Sequence, residues 1–259
     1  MSDGIEITAS GGVQTLRLAR PEKKNALTSA MYKALADALE AGDASDEIAV
    51  HVILGSGGTF SAGNDIGEFL LDATGGGNRL TDDALRFVRA LPAVQKPIVA
   101  GVGGPAVGVG TTLLLHCDLV YATPDASFST PFLDLGLVPE AASSLLLPQR
   151  AGYARAFEML VLGEIFSAER AREAGLVNAV VSHANLEATV QSVAKRLAAK
   201  PPAALRTARK LMRGDTAAIQ DRVDLEASAF RERLTSPEAQ EAFAAFLEKR
   251  SPDFSKLRG

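Results

Sequence analysis

The stretch PIVAGVGGPAVGVGTTLLLHCDLVYA, running from Pro97 to Ala122, decides the fold class. Its start, Pro97–Val102, is a short apolar run of the kind that forms a strand buried on both faces. Glycines then punctuate the chain from Gly101 to Gly110. A helix is predicted through Leu113–His116, and Leu119–Ala122 reads as another strand. Strand, glycine turn, helix and strand in succession are the pattern of stacked β-α units, so the chain is expected to be α/β.

The same pattern extends upstream. Ile5–Ala9 and Val13–Leu18 read as a hairpin around Gly11-Gly12. Pro21–Asn25 is a polar loop. Thr28 or Ser29 caps a helix whose apolar positions Met31, Leu35 and Leu39 recur at helical spacing. Ala49–Leu54 is a buried strand, followed by a Gly/Ser turn and a short helix from Asp65. Asp72–Asn78 is glycine-rich and expected to be mobile, and Thr81–Leu91 is helical. Beyond about Glu140 the pattern becomes almost wholly helical. Ala141–Arg150, Tyr153–Leu162 and Ala168–Ala174 precede one strand, Leu176–Val181. Leu186–Ala199, Ala203–Met212, Ala217–Arg233 and Pro237–Lys249 follow. The expected organisation is a core over residues 1–199 and a helical segment over 200–259 that covers the core or packs on another subunit.

Composition narrows the function. A chain of 259 residues is long enough to bury a sizeable core. A net charge of −4 gives no global field for nucleic acid. The single cysteine, Cys117, excludes an internal disulfide and a multi-cysteine metal site. No apolar run is long enough to span a bilayer. The start MSDGIEI has neither the basic nor the apolar region of a signal peptide, so a cytoplasmic protein is the expectation.

Three segments carry candidate chemistry. Glu140 follows a Gly-Leu-Val-Pro turn at what reads as a helix start. It is either a first-turn acid complementing the helix dipole, with Pro139 at the first helical position, or a general base facing a pocket. Phe60–Asp65 (FSAGND) leaves a strand and opens a helix capped by Asp65. It is either a tight structural turn or a source of unpaired N–H groups around Gly63-Asn64. Gly101–Gly110 contains a loose dinucleotide-like fingerprint, but Pro105 removes an N–H where a phosphate cradle needs donors. The other reading is that Gly108 and Gly110 turn the backbone and expose the Val109 N–H. One base and two amide donors suffice to move a proton next to a carbonyl. His51, His116 and His183 lack metal spacing and read as core or capping residues. Ser143-Ser144 lies in no nucleophile elbow. The basic run Lys195–Arg213 reads mainly as a solvated helix face.

In this order, Arg20–Leu27 (RPEKKNAL), Phe60–Ile66, Pro97–Gly110, Cys117–Ala122 and Glu169–Val181 resemble the crotonase, or enoyl-CoA hydratase/isomerase, superfamily over nearly the whole chain. The resemblance implies repeated β-β-α turns forming two sheets, and a C-terminal helical segment that mediates trimers, often paired into hexamers. It implies an acyl-coenzyme A substrate, with the thioester oxygen held by the N–H groups of Asn64 and Val109. Hydratases of the family use two glutamates, at the positions where this chain has Thr112 and Phe132. The carboxylate stands at Glu140 instead, in a Val138–Ser144 motif that resembles the enoyl-CoA delta isomerases.

The resemblance therefore implies a shift of the double bond from 3-enoyl-CoA to 2-enoyl-CoA, with Glu140 carrying the proton and no metal or redox cofactor. By the same analogy, Ser61, Ala62, Gly63, Asp65, Ile66 and Gly108 line the coenzyme A path. Phe132 excludes water, and Lys23, Lys24 and a neighbouring subunit's Lys249 meet phosphates. Two alternatives stand beside this reading. One is other acyl-CoA chemistry on the same scaffold, such as hydration or thioester hydrolysis. The other is a non-catalytic acyl-CoA- or RNA-binding member.

Overall fold

The computed structural model describes residues 4–73 and 79–257. A six-stranded sheet runs in the order β1-β2-β3-β4-β6-β9, and a three-stranded sheet in the order β5-β7-β8. In the first, β1 (Ile5–Ser10) and β2 (Val13–Leu18) make the expected antiparallel hairpin. From β2 onward, β3 (Val50–Gly55), β4 (Ile98–Val102), β6 (Leu119–Ala122) and β9 (Ala179–Val180) are all parallel. In the second, β5 (Pro105–Val107) pairs parallel with β7 (Ser127–Ser129), which pairs antiparallel with β8 (Phe166–Ser167).

Burial on both faces explains why β3 and β4 read as unbroken apolar runs. Val50, Val52, Leu54 and Val99 face α8 (His183–Ala198), where they pack with Val190 and Ala194. Ile53, Ile98, Ala100 and Val102 point the other way, into the main core. The alternation follows from the two-residue period of a strand. Gly101 permits this contact, because a Cβ there would lie 2.6 Å from Leu54 and 2.9 Å from Val190.

On the main-core side lie α1 (Ser29–Ala44), α2 (Ile66–Ala73) and α3 (Arg79–Ala93). Thr28 caps α1 by accepting the Met31 N–H, and Tyr32 and Phe87 join α1 to α3 with ring centroids 5.7 Å apart. The expected mobile stretch Asp72–Asn78 falls mostly outside the described residues. Asp72 itself is buried in the last turn of α2, accepting the Thr81 N–H and hydroxyl. The chain continues through α4 (Val109–Thr112), α5 (Ser143–Ala151), α6 (Tyr153–Leu160) and α7 (Ala168–Glu173). The last helices are α9 (Pro202–Arg213), α10 (Ala217–Leu234) and α11 (Pro237–Glu248). Here α10 packs against α3 and α5, and Phe230 and Phe243 of the last two helices meet Phe69 of α2. Within this chain the helical segment therefore covers the core. No helix among the described residues is long and apolar enough to cross a membrane.

Two expectations change. The helix after Pro139 starts at Ser143, so Glu140 is not in a first helical turn. The reason is local: Ala141 and Ala142 both adopt left-handed backbone, with φ of +59° and +55°. The basic run is not wholly solvated either. Arg209 is buried, donating to Asp118 at 2.8 Å and to the Val94 carbonyl at 2.5 Å, and Arg213 donates to the His116 carbonyl.

Candidate active site

The turn that carries Glu140 begins at Gly136, which ends a short 3-10 helix in left-handed conformation (φ +68°). A Cβ there would lie 2.7 Å from the Ala239 backbone nitrogen, so only glycine lets the turn pack on α11. The following left-handed pair Ala141-Ala142 costs energy, because a Cβ is crowded in that region. Surrounding contacts hold it. His116 Nε2 lies 2.8 Å from the Ala141 carbonyl oxygen, which can only accept, so Nε2 carries the proton. Burial pushes the His116 imidazole down to about 3, which keeps it neutral. The expected core role of His116 thus has a definite form: it braces the Glu140 turn.

Glu140 opens onto a cavity of about 60 Å³ that it shares with Tyr32 and Asn64. Phe69, Leu80, Leu85, Val88, Val223 and Phe230 make most of the remaining wall, so the surroundings are apolar. The residue keeps accessible surface because it lines a cavity, while the dense protein around its carboxyl desolvates it. Burial first, and the Glu226 carboxylate second, push Glu140 up to about 8 against a hydrogen bond from the Thr112 hydroxyl. Among the described residues lining the cavity, Glu140 is the one carboxylate. The other charged side chain is Arg231, paired with Asp82 at 2.7 Å.

The two glycine turns meet beside it. Ser61 pairs with Ala106 as a bridge, and the Val107 N–H donates to the Ser61 carbonyl at 2.9 Å. At Gly63 (φ +87°) a Cβ would lie 3.0 Å from the Val107 oxygen, and at Gly110 one would lie 2.9 Å from Ser61 Cβ. This close approach brings Asn64 and Val109, each next to one of those glycines, into the same neighbourhood. Among the described residues neither N–H donates a hydrogen bond in a turn or loop. Val109 is the first residue of α4, where a helix has no internal acceptor for it. The Asn64 side chain accepts from the Tyr32 hydroxyl at 2.5 Å, and Tyr32 stays neutral because burial and Glu140 hold its phenol well above the usual range.

The remaining sequence candidates fall into three groups. Ser61 and Gly63 are buried in the turn, where the Ser61 hydroxyl donates to the Asn25 carbonyl and accepts the Gly63 N–H. Ala62 donates its N–H to the Lys24 carbonyl, and Gly108 caps α4 with φ of +56°. Asp65 caps α2, which starts at Ile66, and pairs with Arg20 at 2.7 Å. Lys23, Lys24 and Lys249 are exposed, with Lys24 and Lys249 in left-handed conformation. Phe132 is buried in the main core and does not line the Glu140 cavity, because Thr130 and Leu137 tie its turn inward.

Sequence reasoning singled out no role for Asn25, Tyr32 or Glu226. Asn25 is fully buried in left-handed backbone (φ +54°) and stitches two loops together, accepting the Arg20 N–H and donating to the Ser56 and Thr59 carbonyls. An asparagine after a polar run was its only signal, since Asn tolerates that backbone region.

The enoyl-CoA hydratase/isomerase family model matches residues 8–257. The 1,2-epoxyphenylacetyl-CoA isomerase of Escherichia coli (strain K12) is 36% identical over 94% of this chain and 95% of its own length. Enoyl-CoA delta isomerase 2 of Rattus norvegicus is 36% identical over 96% of this chain, which spans 64% of that protein. Other relatives of similar identity bear the names of hydratases and dehalogenases. The crystal structure of an enoyl-CoA hydratase/isomerase from Pseudoalteromonas atlantica T6c is 40% identical. It superposes with a TM-score of 0.91 over 97% of this chain and all of that one.

Proposed function

This chain belongs to the enoyl-CoA hydratase/isomerase family and has its crotonase fold, and we propose that within the family it is an isomerase converting 3-enoyl-CoA to trans-2-enoyl-CoA. One observation carries the reading: Glu140, the one carboxylate among the described residues of an apolar cavity, is desolvated there beside the Asn64 turn. As carboxylate, Glu140 takes the proton from carbon 2. The electrons move onto the thioester oxygen, and the Asn64 and Val109 N–H groups receive that charge. Glu140, now the acid, returns the proton to carbon 4, and the double bond comes to rest in conjugation with the thioester. The reaction balances without a metal, a redox cofactor or water. Losing one amide donor of such a hole costs roughly 100- to 1000-fold in rate.

A pKa near 8 suits a group that must hold and release one proton within each turnover. Hydration needs a second acid to split water, and Thr112 instead spends its hydroxyl on Glu140. In the same reading, the backbone from Ser61 to Ile66 and Gly108 lie along the coenzyme A path, with Lys23 or Lys24 meeting its phosphates. The protein works in the cytoplasm on fatty-acid β-oxidation intermediates as a homotrimer or hexamer, with Lys249 reaching a neighbouring subunit.

The test is an assay on a 3-enoyl-CoA that follows the conjugated product, with Glu140→Gln beside the wild type. Isomerisation lost in the variant supports the reading. Full activity in Glu140→Gln refutes it, and 3-hydroxyacyl-CoA formed from 2-enoyl-CoA would mean hydration.

A further inference from the structure

We propose that Glu226 is a positioning residue for Glu140: from α10 it pins the left-handed turn that aims the Glu140 carboxyl into the cavity. The inference rests on Glu140 being the base of the reading above.

The geometry is specific. Glu226 Oε1 accepts the Ser144 N–H at 2.9 Å and the Ser144 hydroxyl at 2.5 Å. The Arg222 guanidinium donates to the same hydroxyl at 3.0 Å, and the Ala142 N–H faces the Glu226 carboxylate. These contacts land on Ala142 and on Ser144, just beyond the strained Ala141-Ala142 pair, while His116 holds the Ala141 carbonyl. Glu226 thus grips the turn from the C-terminal helices, more than eighty residues on in the chain. The same helix lines the cavity through Val223, Ala227 and Phe230, so α10 sets the wall and the base together.

Packing alone does not explain an acid here. Glu226 is 6% exposed, and its Oε2 is buried with no hydrogen-bond partner among the described residues. A buried acceptor left unpaired is costly, and a neutral amide would accept the Ser144 hydrogen bonds as well. What only the acid supplies is a negative charge near Glu140 once Glu226 is ionised; that charge favours the protonated form of the base, and burial raises the Glu226 carboxyl as well. The groups facing this pair are Tyr32 from α1, Thr112 from α4, and Arg222 and Arg231 from α10.

The experiment compares wild type, Glu226→Gln and Glu226→Ala in the 3-enoyl-CoA assay across pH 5.5–9.5, with thermal melting of each. Glu226→Gln keeps an oxygen for Ser144 and loses the charge. It is expected to fold and to shift the acid limb of kcat/KM down by about one unit. Glu226→Ala frees the turn and is expected to lose roughly 10- to 100-fold in kcat with KM little changed. If Glu226→Ala does not fold, Glu226→Gln decides alone. An unshifted pH profile with wild-type kcat overturns the proposal. If the wild type turns over no enoyl substrate, the readout becomes the Glu140 titration by carboxyl-¹³C NMR, assigned with Glu140→Gln. A midpoint that moves down in Glu226→Gln supports the proposal although the isomerase reading has failed, and an unmoved midpoint overturns it.

Discussion

Replacing Glu140 by Gln should make the protein more stable relative to wild type as the pH rises. Glu140 titrates at about 8 in the folded chain against an ordinary 4.5. Between those values the native state holds a proton that the unfolded chain has released. For a raised carboxyl, the contribution to stability is therefore complete below pH 4.5 and is lost as pH climbs through 8. At about 1.4 kcal/mol per pH unit, the whole gap is worth a ceiling of about 5 kcal/mol. Water entering the cavity screens the charge, so roughly 2–3 kcal/mol is expected between pH 5 and pH 8. Gln is nearly isosteric and still accepts from Thr112, so at pH 5 the two proteins should unfold at similar urea concentrations. By pH 8 the variant should be the more stable by that amount. Taking the difference between the two proteins at each pH cancels every other titrating group. A difference that stays flat from pH 5 to pH 8, or that grows in favour of wild type, refutes the desolvated-carboxyl argument. The kinetic counterpart is a kcat/KM that climbs about tenfold per pH unit and levels off near 8.

Other perturbations test the parts around Glu140. Thr112→Val removes the hydrogen bond that lowers the Glu140 pKa, so the acid limb of kcat/KM should move to higher pH and activity at pH 7 should fall several-fold. Gly63→Ala forces a Cβ to 3.0 Å from the Val107 oxygen in a backbone with φ of +87°, and displacing the Asn64 N–H should cost about 100-fold in kcat, read against circular-dichroism melts. Asn25→Ala strips partners from the Arg20 N–H and from two loop carbonyls, and urea unfolding should show a loss of roughly 2–3 kcal/mol.

What was legible in the sequence follows from element length and burial. β3, β4 and β6 are buried apolar runs, and their composition gives them away. β5, β7 and β8 are two or three residues long and built on Pro105, Ser127 and Ser167, too short for any period to show. They exist because neighbouring strands pair them, which is tertiary information. The sequence around Glu140 reads as a helix start, whereas the helix begins only at Ser143. Nothing about Ala141 or Ala142 announces left-handed backbone, which His116 and Glu226 impose from afar. Glu226 itself sits among Asp221, Asp224 and Glu232, and only the fold separates the buried acid from the exposed ones.

That dependence on distant contacts bears on how one acid can serve two carbons. A carboxyl that collects a proton at carbon 2 and returns it at carbon 4 must reach both without losing its orientation to water. Apolar walls at Phe69, Leu80, Val88 and Phe230 limit competing solvent, and Thr112 gives the carboxyl one fixed partner. A second carboxylate at position 112 would replace that donor with a like charge. With Glu226 already close, it would drive Glu140 further towards its protonated form and leave no base at neutral pH. In the proposed reaction, then, the hydroxyl at Thr112 and the acid at Glu226 form a matched pair. One lowers and the other raises the same pKa, and the balance keeps Glu140 able to act as both base and acid.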